Sequence, residues 1–110
     1  MSYSIHITRA AEQDIAEAVD YIDHILLNPE AADSLLDKLD EQDADLKDSP
    51  AKYQLADDPV LCSWGIRFTL VNNYLAFYII DEERKIVHII RFLYGKRDWI
   101  NILKLGYSLD

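Results

Sequence analysis

The chain has 110 residues and a formal net charge of −9. We expect one domain over residues 1–110, because a chain of this length can bury about two-thirds of its unfolded surface without disulfides or metals. Half of the residues are hydrophobic and only 3 are glycine and 3 proline, which excludes a disordered chain. The single cysteine excludes an internal disulfide, and the lack of a CxxC motif, a Cys/His cluster or metal-spaced carboxylates predicts no metal or cofactor. The acidity argues against a general nucleic-acid binder, and no signal peptide or membrane-length apolar run is present, so we expect a cytoplasmic protein without a membrane partner.

The first fifty residues predict one short strand followed by two amphipathic helices. Apolar and polar side chains alternate over residues 3–7, which is typical of a strand with one buried face. Thr8 is a good N-cap for a helix over residues 9–26, where apolar side chains recur at helical spacing. Asn28-Pro29 indicates the start of a second helix and Ser49-Pro50 indicates its end. With only two or three residues between them, these helices are expected to form an antiparallel hairpin.

After a predicted loop at residues 51–59, the apolar periodicity changes from helical to alternating. A strand over residues 64–70 would place on one face the side chains of Trp64, Ile66, Phe68 and Leu70. Asn72-Asn73 is a good turn pair, since asparagine tolerates positive φ. Residues 74–80 are apolar on both faces, which favours a central strand.

The last strand is predicted over residues 86–93, after a charged turn at residues 81–85. Strict alternation would place the charged Arg91 on the same face as Val87, Ile89 and Leu93. Asp98 indicates the cap of a short terminal helix that carries Trp99, and Gly106 is a stop signal.

These elements define an α+β fold in which a helix hairpin packs on a mainly antiparallel four-stranded sheet, with an N-terminal strand and a short C-terminal helix. Charge is distributed unevenly along it. Residues 1–60 contain 15 acidic and 4 basic side chains, whereas residues 61–110 contain 5 acidic and 7 basic ones. An anionic partner surface should therefore contact the sheet half of the molecule.

Three segments give the sequence a resemblance to the RelE/ParE family, the toxic components of bacterial type II toxin–antitoxin modules. Residues 8–15 read TRAAEQDI after the first strand, residues 66–78 contain IRF and NYLAFY, and residues 90–99 read IRFLYGKRDW. The segments follow the family's order over nearly the whole chain. The last one resembles the family ending, in which an arginine-bearing strand runs into a glycine and a basic pair.

The family has two mechanisms, and the residues present distinguish them. RelE-type members cut mRNA in the ribosomal A site, which needs cations for the developing phosphorane charge and a group that carries a proton. The resemblance implies that Leu75 stands where such nucleases have an arginine, and that Trp99, Ile102 and Leu103 occupy the region of their C-terminal tyrosine. Arg97 is the one clear match to that set. The NYLAFY segment instead resembles the ParE branch, whose members poison DNA gyrase.

The resemblance makes a set of residues candidates for target binding: Arg67, Arg91, Lys96, Arg97 and Trp99. In a nuclease, the same four cations would hold phosphate charge, and Tyr94 or His88 would carry the proton. Structural roles remain open for each of them. Arg67 and Arg91 could pair with acidic residues of the helix hairpin or of an antitoxin, since acidic partners are plentiful in this chain. Lys96 and Arg97 could organise the start of the terminal helix, Trp99 could anchor it, and His88 and Tyr94 could serve packing.

The resemblance therefore predicts the toxin of a type II toxin–antitoxin system that serves plasmid stabilisation. It would inhibit growth by binding a replication target such as DNA gyrase, without enzymatic activity. The alternatives are a ribosome-dependent mRNA endoribonuclease and an inert member of the family. Both active forms imply a cognate antitoxin whose amphipathic segment wraps the helix hairpin and sheet, neutralises the basic patch and forms a toxin–antitoxin hetero-oligomer.

Overall fold

The computed structural model describes residues 2–110. Its two long helices begin at the capping residues that the sequence predicted. Strand β1 (Ser4–Ile7) is followed by helix α1 (Arg9–Asp20), where the Thr8 hydroxyl accepts a hydrogen bond from the Ala11 amide at 3.2 Å. The predicted first helix ends in a wider, π-helical turn, Tyr21–Ile25, rather than continuing as α-helix. Helix α2 (Pro29–Asp48) begins at Asn28, whose side chain accepts a hydrogen bond from the amide of Ala31 at 3.1 Å.

One predicted region is wrong. The residues between the predicted loop and the predicted strand form a short helix, α3 (Pro59–Ser63), and the loop itself contains a 3₁₀ turn at Pro50–Lys52. The Asp58 carboxylate caps α3 by accepting hydrogen bonds from the amides of Val60 and Leu61, both at 3.1 Å. Trp64 therefore caps the C-terminus of this helix and is not part of a strand.

The remaining strands form the predicted sheet. The sheet contains β2 (Arg67–Val71), β3 (Tyr74–Asp81) and β4 (Ile86–Tyr94) in addition to β1. Strand β3 pairs antiparallel with both β2 and β4, and β1 pairs parallel with β4 at the edge of the sheet. The order across the sheet is β1-β4-β3-β2. The predicted turn at Asn72-Asn73 joins β2 to β3, with Asn72 at φ 55°. The expected α+β architecture is therefore confirmed.

Apolar side chains fill both faces of the sheet. On one face, α1 and α2 cover two groups of buried residues that include Leu35, Phe92 and Tyr78. On the other, α3 and the terminal helix α4 (Trp99–Lys104) cover a third group. Asp98 precedes α4 as predicted, but its carboxylate accepts a hydrogen bond from the Asn101 side chain at 2.6 Å rather than capping a backbone amide. Among residues 2–110, no helix has both the length and the apolar character needed to cross a bilayer.

A bulge in β4 interrupts the alternation that predicted one shared face for Arg91, Val87, Ile89 and Leu93. Tyr78 lies opposite Ile89 and Phe77 lies opposite Arg91, so Ile90 is an extra residue in β4. Ile89 packs towards the two long helices, whereas Leu93 packs on the opposite face of the sheet. The alternation that would place Ile89, Arg91 and Leu93 on one face is therefore interrupted at the bulge.

Candidate functional site

The C-terminal end of β4 presents an exposed pair of cations. The Gly95 amide donates a hydrogen bond to the backbone carbonyl of Asn73 at 2.9 Å, and the Arg97 amide donates one to the carbonyl of Tyr94 at 3.0 Å. A side chain at position 95 would place its Cβ 3.2 Å from the Asn73 oxygen, so glycine permits this close approach. The turn holds Lys96 and Arg97 beside the β2–β3 hairpin turn, and both are exposed. We refer to these two residues as the cationic tip.

The cationic tip is free of the protein's own carboxylates. In the part of the chain that the structure describes, five lysine or arginine side chains form ion pairs with an acidic residue: Lys38, Lys52, Lys85, Arg91 and Lys104. Within residues 2–110, neither Lys96 nor Arg97 forms such a pair. Two adjacent, unpaired cations on an otherwise acidic molecule form a surface that an anionic partner group can contact.

Arg91 is directed into the molecule, where it binds Asp14 of α1. Its Nε and Nη2 donate to the two carboxylate oxygens at 2.7 and 3.0 Å. The hydrogen bond to Asp14 raises the pKa of the Arg91 guanidinium. This contact is the ion pair with the helix hairpin that the sequence left open, and it uses the donors that a target would need.

Arg67 is also bound internally, by backbone oxygens. Its Nη1 donates to the carbonyl of Tyr53 at 2.5 Å and to that of Ala51 at 3.3 Å. Ala51 lies in the 3₁₀ turn after α2 and Tyr53 follows that turn. The hydroxyl of Tyr78 donates to the carbonyl of Pro50 in the same turn at 2.6 Å. Burial raises the pKa of Tyr78. Arg67 therefore fixes the segment after α2 against the sheet.

The three remaining candidate residues lie in different places. Tyr94 is 38% exposed at the end of β4, with its ring edge-on to Tyr74 at 5.6 Å. Trp99 packs on the opposite face of the sheet, 5.2 Å from the ring of Phe77. His88 lies six residues before Tyr94 along β4, a separation of about 20 Å at the rise of a strand.

His88 has a partner that sequence reasoning missed. It lies opposite His6 in the parallel pairing of β1 with β4, and the two Nδ1 atoms are 2.8 Å apart. Burial, and then the neighbouring His6, lower the pKa of His88. The pair is apparent only from the register between β1 and β4, two strands that lie far apart in the sequence.

A cavity of about 710 Å³ adjoins the cationic tip. We call it the tip groove; it lies between α1 with its π-helical turn, the start of α2 and the β2–β3 turn, and its walls include Glu17, Tyr21, Asn73, Tyr74, Tyr94 and Arg97. Of the predicted site residues, the structure brings Tyr94 and Arg97 together here. Asn73 and Tyr74 were present in a segment that carried the family resemblance and Tyr21 lay in the predicted first helix, but their contribution to a groove depends on the tertiary fold. Exposed aromatic, amide and guanidinium groups suit binding of a protein surface.

Comparison with known proteins identifies the family. The model of the ParE toxin of type II toxin–antitoxin systems, parDE, matches residues 5–99. The chain belongs to this family, which confirms the resemblance. No curated protein sequence matched the chain.

Solved structures share the fold at low sequence identity. The chromosomal ParDE toxin–antitoxin system from P. aeruginosa is 20% identical, with a TM-score of 0.67 over 86% of this chain and 98% of the other. The RelBE2 toxin–antitoxin complex from Mycobacterium tuberculosis is 19% identical, with a TM-score of 0.59 over 86% and 99%. A mutant of the E. coli toxin RelE in the free state, in which two arginines are replaced by alanine, is 13% identical, with a TM-score of 0.61 over 93% of each chain.

Proposed function

We propose that this toxin inhibits growth by binding a replication protein, with DNA gyrase as the first target to test, and that it does so without catalysing a reaction. The binding surface consists of Lys96 and Arg97 together with the neighbouring tip groove. Within a type II module, such a toxin serves plasmid stabilisation and acts in the cytoplasm. The observation that carries the proposal is that these two cations alone, of the four predicted ones, are left free by the fold.

The internal binding of the other two cations weighs against RNA cleavage. A nuclease of this family needs several cations around the scissile phosphate, since charge develops there in the transition state. Arg91 is held by Asp14 and Arg67 by two backbone carbonyls. His88, one candidate proton carrier, lies about 20 Å along β4 from Tyr94, at the rise of a strand.

A ribosome-dependent endoribonuclease is the second candidate, because Tyr94 and Arg97 line the same groove. In that case Arg97 and Lys96 would hold phosphate charge and Tyr94 would carry the proton. In neither case do we propose Trp99 as a direct contact of the target, because its ring packs against Phe68 and Phe77.

The partner of either form is a cognate antitoxin. Two of the structures with the same fold are described as a ParDE system and a RelBE2 toxin–antitoxin complex. By analogy, we propose that this toxin forms a hetero-oligomer with the antitoxin, which prevents the cationic tip from reaching its target.

The test is to induce the toxin without an antitoxin and to measure growth, supercoiling by purified gyrase and cleavage of ribosome-bound mRNA. We expect growth arrest, loss of supercoiling and intact mRNA. Arg97→Ala should abolish the arrest, whereas the matched control Arg84→Ala should not. Arg84 is an exposed arginine in the β3–β4 turn, at the other end of the sheet. mRNA cuts at defined codon positions would support the endoribonuclease instead of gyrase binding. Full toxicity of Arg97→Ala would exclude the cationic tip as the surface that binds the target.

A further inference from the structure

Two histidines meet at the edge of the sheet that is formed by β1. His6 of β1 and His88 of β4 occupy the same register position in the parallel pairing, although 82 residues separate them in the chain. Their Nδ1 atoms are 2.8 Å apart and their rings are nearly perpendicular, with an interplanar angle of 88°. The spacing of histidines along the sequence predicted no metal, but the fold brings two nitrogen ligands together that the proposed function does not use.

The pair is accessible from the face of the sheet opposite the two long helices. Side chains alternate along each strand, and the neighbouring Ile5, Ile7 and Val87 pack on the helix side. His6 and His88 therefore project from the other face, where both are half-buried. Within residues 2–110, no strand lies beyond β1. Water and small ions can therefore reach the two rings from this edge.

The separation of the two Nδ1 atoms suits one class of metal ion. Two metal–nitrogen bonds of about 2.0 Å that meet at a right angle place the nitrogens about 2.8 Å apart. The tetrahedral angle that Zn²⁺ prefers would place them about 3.3 Å apart. Right-angled coordination in a plane is the geometry of Cu²⁺ and Ni²⁺, and Cu²⁺ is the tighter binder of the two. The observed distance of 2.8 Å therefore favours Cu²⁺.

We propose that His6 and His88 form a bidentate site for Cu²⁺, with their Nδ1 atoms at adjacent corners of a square plane and water at the other positions. Among residues 2–110, no third histidine, cysteine or carboxylate completes the set. On binding, both rings turn so that their lone pairs point at the ion, which replaces the hydrogen bond between the two Nδ1 atoms. The proton of that hydrogen bond moves through solvent to Nε2 of the same ring, so each imidazole stays neutral.

The surrounding charges support cation binding at neutral pH. The rings must be unprotonated to act as ligands. Burial, and then His6, lower the pKa of His88, which favours its neutral form. Of the charged groups near His88, Asp81 attracts a cation and Arg84 repels it. The chain as a whole has a formal net charge of −9, which attracts divalent cations.

The ion cross-links the first strand to the last one, because His6 belongs to β1 and His88 to β4. A ligand that binds only the folded state raises the stability of that state. We therefore expect Cu²⁺ to raise the thermal midpoint and to slow the hydrogen exchange of the β1 amides. This consequence does not depend on the cellular target of the toxin.

The test uses the full-length protein after dialysis against a chelator. Isothermal titration calorimetry measures the binding of Cu²⁺, with Zn²⁺ as the comparison. We expect a single Cu²⁺ per chain, bound at least about tenfold more tightly than Zn²⁺. Electron paramagnetic resonance should show two nitrogen ligands. In NMR spectra, substoichiometric Cu²⁺ should broaden the ring signals of His6 and His88 and leave those of His24 sharp.

The three histidines of the chain provide matched variants. His6→Gln and His88→Gln each remove one ligand and should weaken Cu²⁺ binding at least about tenfold. The control His24→Gln removes the histidine of the π-helical turn, whose Nδ1 lies 2.8 Å from a carboxylate oxygen of Asp20, and should leave the affinity unchanged. Circular dichroism verifies that each variant is folded.

Three results would overturn the proposal. Equal Cu²⁺ affinity of wild type and His88→Gln would place the ion elsewhere on the chain, and so would a loss of binding in His24→Gln. A thermal midpoint and β1 exchange rates that stay the same at saturating Cu²⁺ would exclude a cross-link between the two strands. The calorimetric result is obtained without any growth assay, so it is separate from the outcome for Arg97→Ala.

Discussion

Arg91 and Asp14 form a two-point ion pair that joins the bulged strand β4 to helix α1. The Asp14 carboxylate, whose residue is 8% exposed, also accepts a hydrogen bond from the amide of Phe92 at 3.0 Å. One carboxylate therefore accepts three hydrogen bonds, two from the guanidinium and one from the backbone immediately after Arg91. This arrangement fixes the path of the last strand before it reaches the cationic tip.

Removal of the Arg91 guanidinium should destabilise the fold, because it leaves the buried carboxylate of Asp14 without its counter-charge. We expect Arg91→Met to lower the free energy of unfolding by about 3 kcal/mol, as is typical when one partner of a buried pair is lost. Lys85→Met, which breaks the exposed pair with Glu82, should change the free energy of unfolding much less. Urea titration monitored by circular dichroism measures both. Equal stability of the two variants would mean that Asp14 does not depend on Arg91.

The His6–His88 pair should make the protein less stable in mild acid. The pKa of His88 is lowered by burial and by His6, so the folded state favours the neutral ring more than the unfolded state does, where the value is near 6.5. His88 therefore contributes stability at pH values above the unfolded pKa, and this contribution is lost as the pH falls below it.

Between about pH 7.5 and about pH 5, we expect the change in thermal midpoint to be less favourable in wild type than in His88→Gln, because the opposing contribution of Asp43 is common to both. Asp81 opposes this effect and Arg84 adds to it, so Arg84→Gln should make the acid loss smaller. A midpoint whose pH dependence is the same in wild type and His88→Gln would exclude the pair as its source.

Asp43 should have the opposite pH dependence. Burial, and then the neighbouring Asp40, raise the pKa of its carboxyl to about 6. The protonated form is favoured in the folded state, so the protein loses stability as the pH rises from the unfolded value near 4 through 6. We expect Asp43→Asn to be more stable than wild type by about 1 kcal/mol at neutral pH, after allowance for solvent screening, and by little at pH values near 4.

The comparison for this prediction is Asp33→Asn, which removes an exposed carboxylate from the same helix. In urea titrations, its effect on the free energy of unfolding should be the same at neutral pH and at pH values near 4. A variant at position 43 that is less stable than wild type at neutral pH would show that the charge is satisfied in solution.

Thr8 contributes two hydrogen bonds from one buried hydroxyl, which is 1% exposed at the residue level. Its oxygen caps α1 at the Ala11 amide, and its proton is donated to the carbonyl of Ile90 in the β4 bulge at 3.1 Å. We expect Thr8→Val to cost about 2 kcal/mol, since both the cap and a bond to a buried carbonyl are lost. Asn28→Ala, which removes the exposed cap of α2, should cost about 1 kcal/mol or less. Chemical denaturation distinguishes them, and equal costs would indicate that the bond to Ile90 contributes nothing.

Local signals in the sequence predicted most of the fold. Thr8 and Asn28-Pro29 mark the two long helices, and Asn72 adopts the positive φ that its turn requires. The short helix α3 was missed because five residues hold too little periodicity to be distinguished from a loop, although Asp58-Pro59 is a cap followed by proline. The β4 bulge is hidden because Ile89 and Ile90 are both apolar, so the sequence looks regular there.

The candidate site was predicted less completely, because long-range contacts determine which cations are free. The sequence left Arg91 open between a partner and an acidic residue of the hairpin, and only the fold identifies Asp14. Backbone carbonyls bind Arg67, and no pattern of charges can reveal them. Lys96 and Arg97 were accessible to sequence reasoning because a glycine turn after a strand is a local feature.

The parallel pairing of β1 with β4 has a consequence for synthesis of the toxin. Within residues 2–110, the first strand pairs only with the last one, so residues 4–7 stay without their hydrogen-bonding partner until residues 86–94 have been translated. The sheet can close only around an almost finished polypeptide. A C-terminally truncated product therefore lacks both the partner of its edge strand and the cationic tip, so the sheet and the proposed binding surface are completed together at the end of synthesis.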